Sequence, residues 1–159
     1  MNTEIKNQNI LDSEKIFATT INNYLNKNNP NWKIIKSEFK YCYIDFILIN
    51  LNNLYITYLE YKERSYARGY THYDSYFISL RKYQAIKKCY NNCYIVFDFT
   101  HSTTDDNQFF YIKYNEDLFN SFEKDYGKNR LLIPSNLCKT TFENLMLEMV
   151  DSISNRNLI

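Results

Sequence analysis

The stretch Ile44 to Arg64, IDFILINLNNLYITYLEYKER, limits the fold more than any other part of this chain. Two runs rich in β-branched and aromatic residues flank Asn52-Asn53. Asparagine tolerates the left-handed backbone of a tight turn, so the stretch reads as a β-hairpin with strands at Tyr41 to Ile49 and Leu54 to Lys62. Each strand carries an acid where a core run should carry none. With Asn52 and Asn53 as the two turn residues, Leu51 pairs with Leu54, and counting outward sets Asp45 opposite Glu60. Directly opposed residues share a face, with Cβ atoms about 4.5–5.5 Å apart. Strand alternation brings Lys62 to that face and turns Tyr61 away from it.

Two carboxylates held so close repel, unless one binds a proton or a cation lies between them. Hard cations such as Mg²⁺ or Mn²⁺ take carboxylate and carbonyl oxygens and activate water for attack. A neighbouring lysine can orient or deprotonate that water and offset charge developing on a phosphate. The expected chemistry is therefore metal-assisted hydrolysis of a phosphodiester. His72 and His101 are isolated, and Cys42, Cys89, Cys93 and Cys138 lack the spacing of a zinc site, so they read as reduced packing residues. Neither a GxGxxG stretch nor a P-loop occurs, so no nucleotide cofactor is expected. The plain alternative is a surface pair between Glu60 and Lys62, worth under about 1 kcal/mol.

A net charge of +1 does not by itself suggest a nucleic-acid partner, but its distribution does. Between Lys62 and Tyr90 lie seven Lys and Arg against Glu63 and Asp74. Between Asp98 and Tyr126 lie seven acids against Lys113 and Lys124. A basic segment that begins at the ExK strand can track phosphates, and Arg64, Arg68, Arg81, Lys82 and Lys87 are its candidates. Such charges are otherwise solvated faces. Tyr66, Tyr70, Tyr73 and Tyr76 could stack on bases, although tyrosine this common more often packs.

The remaining pattern supplies the surroundings of the hairpin. Ile10, Phe17, Ile21, Tyr24 and Leu25 have helical spacing, which predicts a helix over 10–26. Trp32 to Lys36 reads as a short strand. Asp74 or Ser75 is expected to cap a helix running to about Tyr90. CYIVFDF and QFFYIKY read as strands, Asn115 or Asp117 opens a short helix, RLLIP is a last short strand, and Thr140 or Thr141 caps a closing helix to about Ser154. This order predicts one mixed α/β domain over 1–159, long enough for one core.

Asp45 followed by Glu60-Tyr61-Lys62 on the next strand resembles the D…ExK signature of the PD-(D/E)XK nuclease superfamily. The resemblance implies a restriction-endonuclease-like core, a central mixed sheet flanked by helices in the order αβββαβ, with an additional strand and C-terminal helices. It implies a Mg²⁺- or Mn²⁺-dependent endo- or exodeoxyribonuclease acting on DNA, and a homodimer is compatible with it. Asp45, Glu60 and Lys62 would be catalytic. Asp45, Glu60 and the Tyr61 carbonyl would hold the metal, with Glu14 on the first helix as a further ligand. Lys82 would be the basic residue on the following helix, with Ser79 and Gln84 behind it. Ile44 stands where the family carries proline, and the Gln-plus-Tyr helix motif of exonuclease-type members is not cleanly present. A nuclease-fold module that binds DNA or protein without cutting, and an unrelated α+β interaction module, are the competing readings.

No apolar run reaches membrane-spanning length, and the N-terminus lacks the order of a signal peptide. The expected compartment is cytoplasmic or nuclear and reducing, or the host cell or virion if the protein is viral. The abundance of Asn, Lys, Ile and Tyr suggests an AT-rich genome such as that of a virus, a phage or a low-GC microbe.

Overall fold

In a computed structural model the described residues are 3–36, 44–65, 73–88, 92–99 and 108–156. They form α1 (Thr3–Asn28), β1 (Trp32–Lys36), β2 (Phe46–Asn50), β3 (Ile56–Glu63), β4 (Ser75–Ser79), α2 (Leu80–Lys87), β5 (Cys93–Asp98) and β6 (Phe109–Lys113). α3 (Glu116–Asn120), β7 (Lys124–Asp125), β8 (Arg130–Pro134), β9 (Lys139–Thr140) and α4 (Phe142–Arg156) complete them. The architecture is mixed α+β.

Six strands make the central sheet in the order β1-β2-β3-β5-β6-β9. Only β3 and β5 run parallel, which makes the sheet mixed. A parallel pair needs a crossover, and the chain through β4 and α2 provides it. β4 itself pairs with β8 in a second, antiparallel sheet of order β4-β8-β7.

Burial follows the strand alternation. Phe46, Leu48, Leu59, Tyr61, Tyr94 and Val96 pack on one face beneath α1 and α4. The spacing of Phe17, Ile21 and Leu25 puts one stripe of α1 on that face. Ile95, Phe97 and Ile112 pack on the other face with Ile78, Tyr83, Ile86, Leu131 and Phe119. Because both of its faces are covered, β5 is buried at every residue, including Cys93 and Asp98. Among the described residues no helix is long and apolar enough to cross a membrane.

Three local expectations need correction, the simplest being that RLLIP is not the last strand, because β9 follows it and pairs with β6. The hairpin turn spans Leu51 to Leu54, not Asn52-Asn53 alone, and Leu54 holds the positive φ of 61°. Side chains drive the longer turn: Asn52 N–H donates to Asn50 Oδ1 and Tyr55 N–H donates to Asn53 Oδ1. One residue is added on each side, so the register survives, with Phe46 opposite Leu59 and Ile49 opposite Ile56.

The helix expected from Asp74 or Ser75 begins only at Leu80. Ser75 to Ser79 alternates strictly, with Tyr76 and Ile78 buried and Phe77 exposed, and this period of two finds its partner in β8. Ser79 is the true N-cap, its Oγ accepting from Lys82 N–H at 3.0 Å. Elsewhere the caps fall where the sequence suggests. Asn115 Oδ1 accepts from Leu118 N–H, and Thr141 Oγ1 from Asn144 N–H.

Candidate active site

β2 begins at Phe46, so Asp45 stands one residue before the ladder and half-buried. Continuing the observed register by one step sets it opposite Glu60. Its Oδ2 accepts the Tyr61 N–H at 3.0 Å, so the carboxylate takes up a backbone donor at the open end of the hairpin.

Glu60 is fully buried, with no exposed surface. Lys62 Nζ lies 3.1 Å from Glu60 Oε1 and Lys82 Nζ 3.1 Å from Oε2. Neither contact has hydrogen-bond alignment, so both Glu60 oxygens are buried without a hydrogen-bond partner. Burying a carboxylate is costly, and the two ammonium groups offset its charge. Burial raises the Glu60 pKa most, and the negative charge of Asp45 adds to it. Lys62 and Lys82 pull the other way, and the balance stands at about 8.

Lys62 and Lys82 are largely covered, with side chains 27% and 16% exposed, so both are positioned more firmly than surface lysines. Lys82 owes its place to the Ser79 cap, which starts α2 so that its first turn faces β3. Ser79 contributes this structural bond and its side chain is exposed, as is that of Gln84. Arg81 and Lys87 project from the outer side of α2, Lys87 with its ammonium 5.0 Å from the centre of the Tyr83 ring.

Glu14 reaches this neighbourhood from α1. Its Oε2 lies 3.5 Å from Lys36 Nζ, and its pKa is raised by burial first and by the nearby Asp45 second. It borders a cavity of about 130 Å³ together with Tyr61, Lys62, Glu63 and Arg64. Glu14 does not join Asp45 and Glu60 in a compact set, and among the described residues no three His, Cys, Asp or Glu side chains form a ready-made metal cluster.

Arg64 differs from the solvent-facing phosphate contact expected of it. It donates from one terminal nitrogen to the Glu63 carbonyl and from the other to the Phe77 carbonyl, and burial lowers its pKa. Tyr76 is likewise core, only 3% exposed, and cannot stack on a base from solvent. Tyr73 is partly buried against the same core. Arg68, Tyr66, Tyr70, Cys42, Cys89, His72 and His101 lie outside the described residues. Cys93 and Cys138 are free thiols, and burial pushes the Cys138 thiol up to about 12.

One residue of the neighbourhood escaped the sequence reading. The Tyr61 hydroxyl donates to Asp98 Oδ2 at 2.7 Å, tying the β3 residue between Glu60 and Lys62 to β5. An acid inside the apolar run CYIVFDF is the same signal that singled out Asp45. Charge from Asp98 joins burial in pushing the Tyr61 phenol far above its usual range.

The donors gathered here are the Asp45 and Glu60 carboxylates and the backbone of Tyr61. These are hard oxygen donors, the kind that Mg²⁺ or Mn²⁺ takes in preference to a softer ion, and both Glu60 oxygens face lysine ammonium groups. Comparison with known proteins finds no matching family model, no curated relative and no matching solved structure.

Proposed function

We propose that the chain is a metal-dependent deoxyribonuclease that hydrolyses DNA phosphodiester bonds at Asp45, Glu60 and Lys62. One observation carries this reading. A fully buried carboxylate without hydrogen bonds stands beside a second acid and between two lysines. Burying an acid beside a second acid does not serve stability, so the use of the pair lies in what it can bind. The element order supports the same reading: α1, β1, β2, β3, α2, β5 follows the expected αβββαβ core, with β4 inserted before α2.

Asp45, Glu60 and the Tyr61 carbonyl would hold the cation, with Glu14 close enough to add charge. The bound cation supplies neutralisation of the phosphate and activation of water. Lys62 then orients the attacking water and offsets negative charge at the phosphate, and Lys82 adds a second positive charge from the opposite side of Glu60. Water attacks phosphorus and gives up a proton, the bond from phosphorus to a bridging sugar oxygen breaks, and that oxygen takes a proton from solvent and leaves as a hydroxyl. Arg81 and Lys87, on the outer side of α2, would hold flanking phosphates.

A second reading has an observation of its own. Glu60 is already matched by two lysines and, among the described residues, no third acid closes the set, which suits a module that binds DNA without cutting. Linear, circular and branched DNA incubated with Mg²⁺, Mn²⁺ or chelator separates the two. Cleavage that requires the cation and disappears in Asp45→Asn supports the nuclease. Retention of DNA without cleavage under every condition supports the binding module.

A further inference from the structure

Behind the acid pair, where β3 ends and β4 begins, lies a larger cavity of about 410 Å³ that the hydrolytic reading does not use. Its walls combine the aromatic rings of Tyr73, Tyr76, Phe77 and Phe99 with the guanidinium groups of Arg64 and Arg130 and one acid, Asp74. The volume falls in the range of about 300–1,000 Å³ found for small-molecule sites.

Three features distinguish this cavity from a packing gap. Phe77 is 41% exposed although it sits in a strand whose alternate residues are core, so its ring is offered outward. Both guanidinium groups lie within cation–π distance of that ring, Arg64 at 4.9 Å and Arg130 at 4.8 Å from its centre. Neither arginine is saturated. Arg64 Nε is buried without a hydrogen-bond partner, and Arg130 uses only Nε in its 3.3 Å contact with Asp125. Arg130, with its terminal nitrogens uncommitted, beside an exposed aromatic ring suits a ligand that combines an anion with a flat ring.

Arg64 also borders the small cavity beside Glu14, Tyr61 and Lys62, so the two spaces adjoin through one side chain. We infer that this cavity is a nucleotide subsite: it takes one unstacked nucleotide, its base against Phe77 and its phosphate on Arg130, with Arg64 in the wall between it and the phosphate at the acid pair. The inference rests on the nuclease reading for the source of that nucleotide, a DNA strand. It deepens the reading by favouring single-stranded or frayed substrates, in which a base leaves the stack at little cost.

The test uses the full chain in chelator, so that no cleavage intervenes, and follows arginine Nε–H signals by ¹H–¹⁵N NMR. dAMP, deoxyadenosine and inorganic phosphate are titrated separately. dAMP is expected to shift Arg64 Nε–H and to bind roughly tenfold more tightly than either half alone, the increment that stacking of one base supplies. Ser65→Trp, which fills the mouth from an exposed position, and Arg130→Ala should each weaken dAMP by a similar factor. Lys27→Ala, at an exposed position in the last turn of α1, should leave dAMP binding unchanged. Melting curves show whether each variant is folded, and Arg130→Lys provides a milder change if Arg130→Ala is not. If dAMP binds no better than phosphate, or binds equally well to Ser65→Trp, the subsite is wrong. Cleavage of DNA by a protein that ignores dAMP would overturn the subsite and leave the nuclease standing. dAMP binding at this cavity without cleavage under any metal would leave the subsite and overturn the nuclease.

Discussion

Asp45 and Glu60 share a face and a charge, and metal binding can be separated from chemistry one residue at a time. Asp45→Asn keeps an oxygen able to accept the Tyr61 N–H while removing the charge that helps to raise the Glu60 pKa. The metal-free melting temperature should stay the same or rise, and most of the stabilisation by Mg²⁺ or Mn²⁺ should vanish. Lys62→Ala leaves both acids in place, so the cation should still raise the melting temperature while cleavage falls by orders of magnitude. Melting curves with and without metal, run beside a cleavage assay, read both outcomes. Glu60 adds a pH signature. Its carboxyl titrates near 8 in the fold against 4.5 in the unfolded chain, so between those values the folded state holds the extra proton. That contribution to stability is complete below about pH 4.5 and is lost as the pH rises through about 8. Glu60→Gln should flatten this part of the metal-free melting profile. A profile that climbs through the same window on account of Glu60 would contradict the assignment.

At the scale of elements, α2 divides two kinds of positive charge. Lys82 turns inward to Glu60, whereas Arg81 and Lys87 lie on the exposed side. Arg81→Glu with Lys87→Glu should weaken DNA binding to all sequences alike and reduce its salt dependence, because fewer counterions are released. Binding isotherms at several salt concentrations measure this, and an unchanged slope would make the outer side a solvated surface only. The position of Lys82 depends on where α2 starts. Had the helix begun at Asp74 or Ser75, Ser79 would lie in its interior and the turn carrying Lys82 would be set differently against β3. The competition was settled by β8, whose residues Arg130 to Pro134 supply the ladder that makes Ser75 to Ser79 a strand. A partner so far along the chain leaves no local mark, and a serine suits a cap at either place.

Across the whole molecule, the acid pair depends on packing from the opposite face of the sheet. The Phe17 ring of α1 stacks on Tyr61 with centroids 4.2 Å apart, and the Tyr61 hydroxyl is in turn fixed by Asp98. Phe17→Ala should destabilise the fold by about 3–5 kcal/mol, the usual range for a large aromatic lost from a core. Chemical denaturation measures the loss, and a change below about 1 kcal/mol, the scale of a surface substitution, would show that α1 does not anchor β3.

The hairpin, its register, the shared face of Asp45, Glu60 and Lys62, and the buried strand Cys93–Asp98 were all readable along the chain, because strand alternation and turn chemistry act between neighbours. Lys82 was readable only as a basic residue after the ExK strand. Its 3.1 Å contact with Glu60, the capture of Glu14 by Lys36, the withdrawal of Arg64 into the fold and the Tyr61–Asp98 bond came from tertiary packing. Each joins side chains from different elements, and where such groups meet depends on how two sheets and their helices stack. Periodicity reports which way a side chain points, and only the stacked layers settle what it meets there.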